Sequence, residues 1–302
     1  MSKRVTVLLG GFSAERDVSL NSGAAAIKAL TTAGFTVTPL DVSRDVGALH
    51  TALRESKPDV VFNALHGRFG EDGAIQGILD IMGVPYTHSG RLASAVAMDK
   101  PLAKAVFERV GIPTAPHVIA DRATVLAEEA MPRPYVVKPM NEGSSVGVTI
   151  VTEDTNDLPF TRADWPYGDR VMVERFVPGR ELTVAVMGDR PLGVTEILTG
   201  HRFYDYDAKY AAGGSRHILP APVEPDIFAE VQRLAVLAHN ALGCRGVSRA
   251  DIRYDGETLY MLEVNTQPGM TITSLVPEQA AHAGVSFPDL VTWMVKEARC
   301  DA

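Results

Sequence analysis

Short apolar runs alternate with helical periodicities through the first ninety residues. Val5–Leu9, Thr36–Leu40 and Asp59–Asn63 have the length and side-chain character of strands. Asn21–Ala33 and Gly73–Met82 carry apolar positions at helical spacing. This alternation predicts an open parallel sheet, whose ligands sit beyond the C-terminal ends of its strands. Gly10-Gly11 and His66-Gly67 follow two of those ends. After Ser89-Gly90 the pattern changes. Leu92–Val110 reads as one helix, stopped by Gly111-Ile112-Pro113. A small mixed α/β segment runs from Pro116 to about Val173. Strand patterns dominate from Arg180, at Glu181–Met187, Leu192–Leu198, Val247–Tyr254 and Leu259–Val264. One long helix interrupts them between Pro225 and Gly243, with Phe228, Val231, Ala235, Ala238 and Leu242 at helical spacing. Residues 199–216 have little apolar periodicity and much aromatic and glycine, the composition of a long loop serving as a lid. The chain thus divides into three parts, 1–90, 91–178 and 179–302: an α/β protein with an open parallel sheet first, a small central α/β unit, and a mixed-sheet unit last.

Composition narrows the partners. At 302 residues and 46% apolar, the chain is long and hydrophobic enough for full cores. A net charge of −8 argues against nucleic acid or an anionic membrane surface. The two cysteines, Cys244 and Cys300, do not make a disulfide scaffold. The apolar run after Ser2-Lys3-Arg4 is too short for a signal peptide, and no run approaches the roughly 20 residues of a membrane span. The expectation is a soluble cytoplasmic protein.

Two constellations carry chemistry. The first is a strand ending in a lysine, Tyr135-Val136-Val137-Lys138-Pro139, followed by Asn141-Glu142-Gly143-Ser144-Ser145-Val146-Gly147. Glycines let backbone N–H groups approach phosphate closely, and the lysine adds a point charge. The spacing is not that of a P-loop. The alternative is a surface hairpin with an extended lysine. The second constellation is Arg249-Ala250-Asp251 on one strand pattern and Glu263-Val264-Asn265 on the next. Residues i and i+2 share a sheet face, so pairing of the two strands gathers all four polar side chains. Two carboxylates and an amide oxygen are hard ligands suited to Mg²⁺, with triphosphate oxygens completing the shell. The alternative is ordinary cross-strand charge pairing.

These features together resemble the ATP-grasp superfamily, and within it the D-alanine–D-alanine ligase family, over nearly the whole chain. Leu8-Leu9-Gly10-Gly11-Phe12-Ser13-Ala14-Glu15-Arg16-Asp17-Val18-Ser19 is similar to that family's first signature. Ala64-Leu65-His66-Gly67-Arg68-Phe69-Gly70-Glu71-Asp72-Gly73 is similar to its second. Met98-Asp99-Lys100, Tyr204-Asp205-Tyr206-Asp207-Ala208-Lys209-Tyr210 and Asn265-Thr266-Gln267-Pro268-Gly269-Met270 resemble three more. One departure stands out: Gln267 occupies a place where the family usually has a smaller residue, often serine.

The resemblance implies ATP-dependent joining of two D-alanine molecules through a D-alanyl phosphate, for peptidoglycan precursor synthesis, by a homodimer. Lys100 and Lys138 would hold ATP phosphates, with Glu142 and Ser145 of the glycine loop beside them. Glu174, Phe176 and Val177 would frame the adenine, and Glu181 the ribose hydroxyls. Asp251, Glu263 and Asn265 would bind two Mg²⁺, with Mn²⁺ as the alternative ion. Glu15 would meet the first substrate's ammonium and His66 would sit near its carboxylate. Ser144 and Tyr210 would link to Glu15, with Lys209 next to Tyr210 at the substrate. Arg249 and the Gly269 N–H would stabilise the oxyanion; Ser274 and the Leu275 N–H would receive the second carboxylate. Two rivals stand beside this reading: a ligase that accepts D-lactate or D-serine second, and a nucleotide sensor that has lost catalysis. Tyr210 argues against the lactate version, and retention of Arg249 and every metal carboxylate argues against the sensor.

Overall fold

The computed structural model describes residues 2–143, 146–155, 165–199 and 215–301. Among them the strands form three sheets. The first holds β1 (Arg4–Leu9), β2 (Thr36–Asp41) and β3 (Val60–Asn63) in the order β2-β1-β3, all parallel. Helices α1 (Arg16–Thr32), α2 (Val46–Ser56) and α3 (Ala74–Met82) connect and cover it. The predicted open parallel sheet is present, and α2 is an addition to the predicted elements. Asp45 starts α2 by accepting the Ala48 N–H, and Lys57 ends it in the left-handed conformation.

The predicted single helix over 92–110 is two, α4 (Arg91–Met98) and α5 (Lys100–Arg109). Asp99 between them is extended, and its carboxylate accepts the Leu102 N–H at 3.0 Å, with Pro101 in the first turn. A capping carboxylate followed by proline is a helix start, so the axis breaks there. Apolar periodicity continues across the break because α4 and α5 both bury residues, Ala97, Ala103 and Phe107, against the same core.

The second sheet is antiparallel, in the order β4-β7-β5-β6: β4 (His117–Asp121), β5 (Tyr135–Lys138), β6 (Thr149–Val151) and β7 (Arg170–Arg175), with α6 (Arg122–Ala127) packed on it. The third runs β11-β10-β8-β12-β13: β8 (Arg180–Met187), β10 (Thr195–Thr199), β11 (Ser215–Ile218), β12 (Val247–Tyr254) and β13 (Leu259–Asn265), with the short β9 (Arg190–Pro191) on β8. The strand predicted from Leu192 therefore begins at Thr195. Thr199 and Ser215–Arg216, read from sequence as loop, are paired strand residues, Thr199 with Ser215 and Leu198 with Arg216. The rest of that predicted lid, 200–214, lies outside the described residues.

Helix α7 (Pro225–Ala241) lays Val231, Leu234 and Ala238 on the third sheet's Leu182, Val184 and Ile252. Two C-terminal helices complete the molecule, α8 (Leu275–His282) and α9 (Phe287–Glu297). Helix α9 buries Leu290, Val291 and Met294 against Val5, Val7 and Phe62 of the first sheet. At about 1.5–3 kcal/mol per buried aliphatic side chain, this ties the chain's last segment firmly to its first. Among the described residues no helix is long and apolar enough to cross a membrane.

Candidate active site

Two cavities meet at Lys100, Glu142 and Glu263, which line both. The larger lies between the ends of the first sheet and the turn after β13; the smaller lies between the second and third sheets.

At their junction β12 and β13 pair with Arg249 opposite Asn265 and Asp251 opposite Glu263. The four side chains thus fall on one sheet face. Arg249 donates to both oxygens of Asp251, at 2.9 and 2.7 Å, and Thr183 Oγ1 donates to Asp251 at 2.7 Å. Lys100, the first residue of α5, sits 3.3 Å from Glu263 Oε2 and donates to the Glu142 carbonyl at 2.6 Å. The Asp99 break is what aims Lys100 here. Among the described residues no group of three or more His, Cys, Asp or Glu side chains could hold a metal ion. The donor set is two carboxylates and one amide oxygen, with the Asn265 Oδ1 steadied by the Gln267 N–H at 2.8 Å. Such an incomplete oxygen set fits Mg²⁺, which keeps waters and takes its remaining ligands from phosphates.

The smaller cavity holds the nucleotide candidates. Lys138 ends β5, and its Nζ donates to Glu174 Oε2 at 2.6 Å. The other Glu174 oxygen is paired with Lys104, which has no exposed surface. Burial works against the charge on Glu174, yet Lys138 and Lys104 hold its carboxyl below the usual range. Burial lowers Lys104, with Glu174 opposing. Phe176, Val177 and Glu181 line the same cavity, and Arg253 donates to Glu181 at 3.2 Å.

The larger cavity is lined by Glu15, His66, Glu71, Arg249, Gly269, Ser274 and Leu275. Glu15 stands at the N-cap of α1 but its side chain caps nothing. Glu71 accepts the Gly67 N–H at 2.8 Å. Burial, and then the neighbouring Glu15, push Glu71 well above the ordinary carboxyl value. Gly67 has φ +70°, and a Cβ there would lie 2.7 Å from Glu15 Oε2, so only glycine fits. Gly143 crosses the same carboxylates: a Cβ there would be 3.2 Å from Glu15 and 3.4 Å from Glu71. The glycine loop therefore passes over the larger cavity at Gly143 as well as beside Lys100. His66 is buried, and desolvation followed by the charge of Arg249 brings its pKa down to about 4. The imidazole is neutral at physiological pH. Ser274, at the start of α8, does not cap the helix; its Oγ accepts the Thr271 N–H at 3.0 Å.

The structure brings together Glu15, His66, Lys100, Lys138, Glu142, Glu174, Phe176, Val177, Glu181, Arg249, Asp251, Glu263, Asn265, Gly269, Ser274 and Leu275 around these two cavities. Ser144, Ser145, Lys209 and Tyr210 lie outside the described residues. Sequence reasoning assigned no role to Glu71, Lys104 or Gln267. Lys104 follows Lys100 by one helical turn inside an apolar stripe, which was its signal. Gln267 is almost fully buried: its Oε1 accepts Asn63 Nδ2 at 2.7 Å and its Nε2 donates to the Leu65 carbonyl. The longer side chain thus fastens the turn after β13 to the end of β3.

Three sheets whose second and third clasp a lysine-lined cavity, beside a carboxylate cluster on paired strands, define an ATP-grasp protein. The family described as D-ala D-ala ligase C-terminus matches residues 106–296, and D-ala D-ala ligase N-terminus matches residues 46–89. The D-alanine–D-alanine ligase of Rhodospirillum rubrum is 78% identical over 302 residues, covering all of both chains. That of Paramagnetospirillum magneticum is 63% identical over 308 residues, again covering both fully. A crystal structure of D-alanine–D-alanine ligase from Bacillus anthracis complexed with ATP superposes with a TM-score of 0.84 at 26% identity, covering 98% of this chain and 97% of that one. This chain belongs to the D-alanine–D-alanine ligase family.

Proposed function

We propose that the protein joins two D-alanine molecules into D-alanyl-D-alanine with cleavage of ATP, in the cytoplasm, for peptidoglycan precursor synthesis. The observation that carries this reading is the meeting of a lysine-lined cavity with a carboxylate-lined one at Lys100 and Glu263. ATP occupies the smaller cavity, with its adenine by Phe176 and Val177, its ribose at Glu181 and its phosphates reaching Lys138 and Lys100. Asp251, Glu263 and Asn265 hold Mg²⁺, which supplies neutralisation of triphosphate charge. Glu15 binds the ammonium of the first D-alanine, and His66 donates to its carboxylate. A carboxylate oxygen bonds to the γ-phosphorus, the bond to the β–γ bridging oxygen breaks, and ADP leaves. The second D-alanine, oriented through its carboxylate by Ser274 and the Leu275 N–H, gives its ammonium proton to water, and the free amine attacks the carbonyl carbon, its surplus N–H proton passing to the departing phosphate. The carbonyl electrons move onto the oxygen facing Arg249 and the Gly269 N–H, then return as phosphate departs. One donor aimed at such an oxyanion lowers the barrier by about 3–4 kcal/mol.

Ser144, Ser145, Lys209 and Tyr210 take the loop and lid roles on this reading, and the three parts 1–90, 91–178 and 179–302 act as substrate, nucleotide and metal units of a homodimer. The test is product analysis after incubation with ATP, Mg²⁺ and D-alanine. Equal amounts of D-alanyl-D-alanine, ADP and phosphate are expected. ATP cleavage without dipeptide, or dipeptide ester when D-lactate competes, would overturn the assignment. Mass determination in solution tests the dimer.

A further inference from the structure

Helix α1 turns one face toward the first sheet, and apart from Leu30 the buried residues on it are small: Ser19, Ser22, Gly23, Ala26 and Ala29. Two of them are serines with distinct partners. Ser19 Oγ donates to the Ala64 carbonyl at 2.8 Å, a fastening of helix to strand end. Ser22 Oγ lies 3.1 Å from His66 Nε2 and accepts the Met270 N–H at 3.2 Å.

The second arrangement decides where protons reside. Ser22 has no exposed surface, and His66 Nε2 and the Met270 amide are its hydroxyl's hydrogen-bond neighbours among the described residues. A hydroxyl carries one proton to donate, and a backbone N–H cannot receive it. The acceptor is therefore His66 Nε2; with the ring turned to the opposite tautomer, a buried hydroxyl proton would have no acceptor among the described residues. The ring's own proton then sits on Nδ1. That nitrogen makes no hydrogen bond among the described residues, and the ring lines the larger cavity. The neutral state of the ring agrees with its burial and with Arg249 nearby. The Met270 N–H is at the same time committed to Ser22, which holds the turn whose preceding residue, Gly269, also lines that cavity.

We propose that Ser22 is a positioning residue: its hydroxyl fixes His66 as the Nδ1–H tautomer and pins the Gly269–Met270 turn, so that the imidazole and the turn face one substrate carboxyl group. The inference rests on the proposed function only for the identity of that carboxyl group, the first D-alanine's. Ser22 also lines the larger cavity, and the role assigned to it runs through its contacts with His66 and Met270.

The test is a long-range ¹⁵N–¹H correlation spectrum of the ligand-free full chain labelled at histidine, with His66→Gln identifying the His66 resonances. The expected spectrum shows Nδ1 protonated and Nε2 bare in the wild type. In Ser22→Ala the Nε2–H form appears, and kcat/KM for D-alanine falls on the order of tenfold, the scale of one lost buried hydrogen bond, while KM for ATP is unchanged. Ser19→Ala, which loses a bond of the same kind from the same helix, keeps the wild-type tautomer. An Nε2–H wild type overturns the proposal, as does a Ser22→Ala protein with unaltered tautomer or unaltered D-alanine kinetics. Should Ser22→Ala fail to fold, the wild-type spectrum still decides. The spectrum needs no D-alanine, so its outcome is separate from that of the product assay.

Discussion

The two cavities handle buried charge in opposite ways. In the smaller, Glu174 is shared by two lysines, Lys138 on the cavity lining and Lys104 buried behind it, and the pair holds that carboxylate charged. In the larger, Glu15 and Glu71 lie close enough that each raises the cost of charging the other, and His66 beside them is neutral. A polyanion entering the first cavity meets cations already held in place by their counter-charge. A zwitterion entering the second brings the ammonium that a pair of carboxylates needs. The difference teaches that a buried carboxylate is held charged between two lysines in one cavity and pushed toward its neutral form by a second carboxylate in the other, and that Lys100 and Glu263, ion-paired at 3.3 Å, mark the boundary. Disturbing that boundary, then each side, tests the contrast.

The largest effect is expected at the boundary. Glu263→Gln keeps shape and removes one negative charge from the proposed metal set. It also removes the anionic partner of Lys100, which keeps its bond to the Glu142 carbonyl. Turnover should fall by about 10²–10³-fold, the rate equivalent of losing several kcal/mol of charge stabilisation. The thermal midpoint should barely move. Steady-state rates across a Mg²⁺ titration, beside a melting curve, make the measurement; near-normal turnover at ordinary Mg²⁺ would remove Glu263 from the metal set.

On the nucleotide side, Lys104→Met keeps chain length and removes the fully buried cation from Glu174. Breaking a buried ion pair costs about 3–5 kcal/mol, and Lys138 still holds Glu174, so a loss nearer 2–3 kcal/mol is expected. Denaturant unfolding measures it. KM for ATP should rise with KM for D-alanine unchanged, because Lys138 is drawn further onto Glu174. Adding Glu174→Gln should recover part of the stability; no recovery would mean that Lys104 matters for packing rather than charge.

At the larger cavity, Gln267→Ser shortens the side chain that fastens the turn after β13 to the end of β3. It deletes the contacts to Asn63 and Leu65 and opens a small void, together about 2 kcal/mol. Here the rise in KM should fall on D-alanine and spare ATP. An equal rise in both would show that the latch serves the whole clasp.

How much of this was legible beforehand follows from where polar residues sit. The paired strands carrying Arg249, Asp251, Glu263 and Asn265 were readable because i, i+2 spacing survives any tertiary arrangement. The first sheet was readable because its alternation with helices is local. The break at Asp99 was not, since α4 and α5 bury residues in the same core and the apolar period runs through the cap. Nor was the role of α9, which covers a sheet more than two hundred residues earlier in the chain. Lys104 and Gln267 escaped for one reason: a polar residue is read as surface unless its buried partner is known, and Glu174, Asn63 and Leu65 are remote in sequence.

The effect confined to a pH window is the most diagnostic of the crowded carboxylates. Burial and Glu15 raise Glu71 well above its ordinary value of 4.5, with the Gly67 N–H opposing. Between pH 4.5 and that raised value the folded state binds more protons at Glu71 than the unfolded chain does. Its contribution to stability is therefore complete below pH 4.5 and is lost as pH rises through the folded pKa. The wild-type curve alone cannot expose this, because three buried histidines act oppositely in the same window. His66 and His239, lowered to about 4, and His88, lowered to about 3, each lose stability as pH falls from 6.5. The difference between wild type and Glu71→Gln cancels the histidines. Glutamine can still accept the Gly67 N–H, so the backbone contact is kept. The variant should gain on the wild type as pH rises from 4.5 toward neutrality, by about 1.4 kcal/mol for each pH unit inside the window. Denaturant unfolding at half-unit intervals from pH 4.5 to 8 measures the difference. Parallel curves would mean that Glu71 carries its charge at neutral pH, and the two cavities would then differ in composition but not in how they bear buried charge.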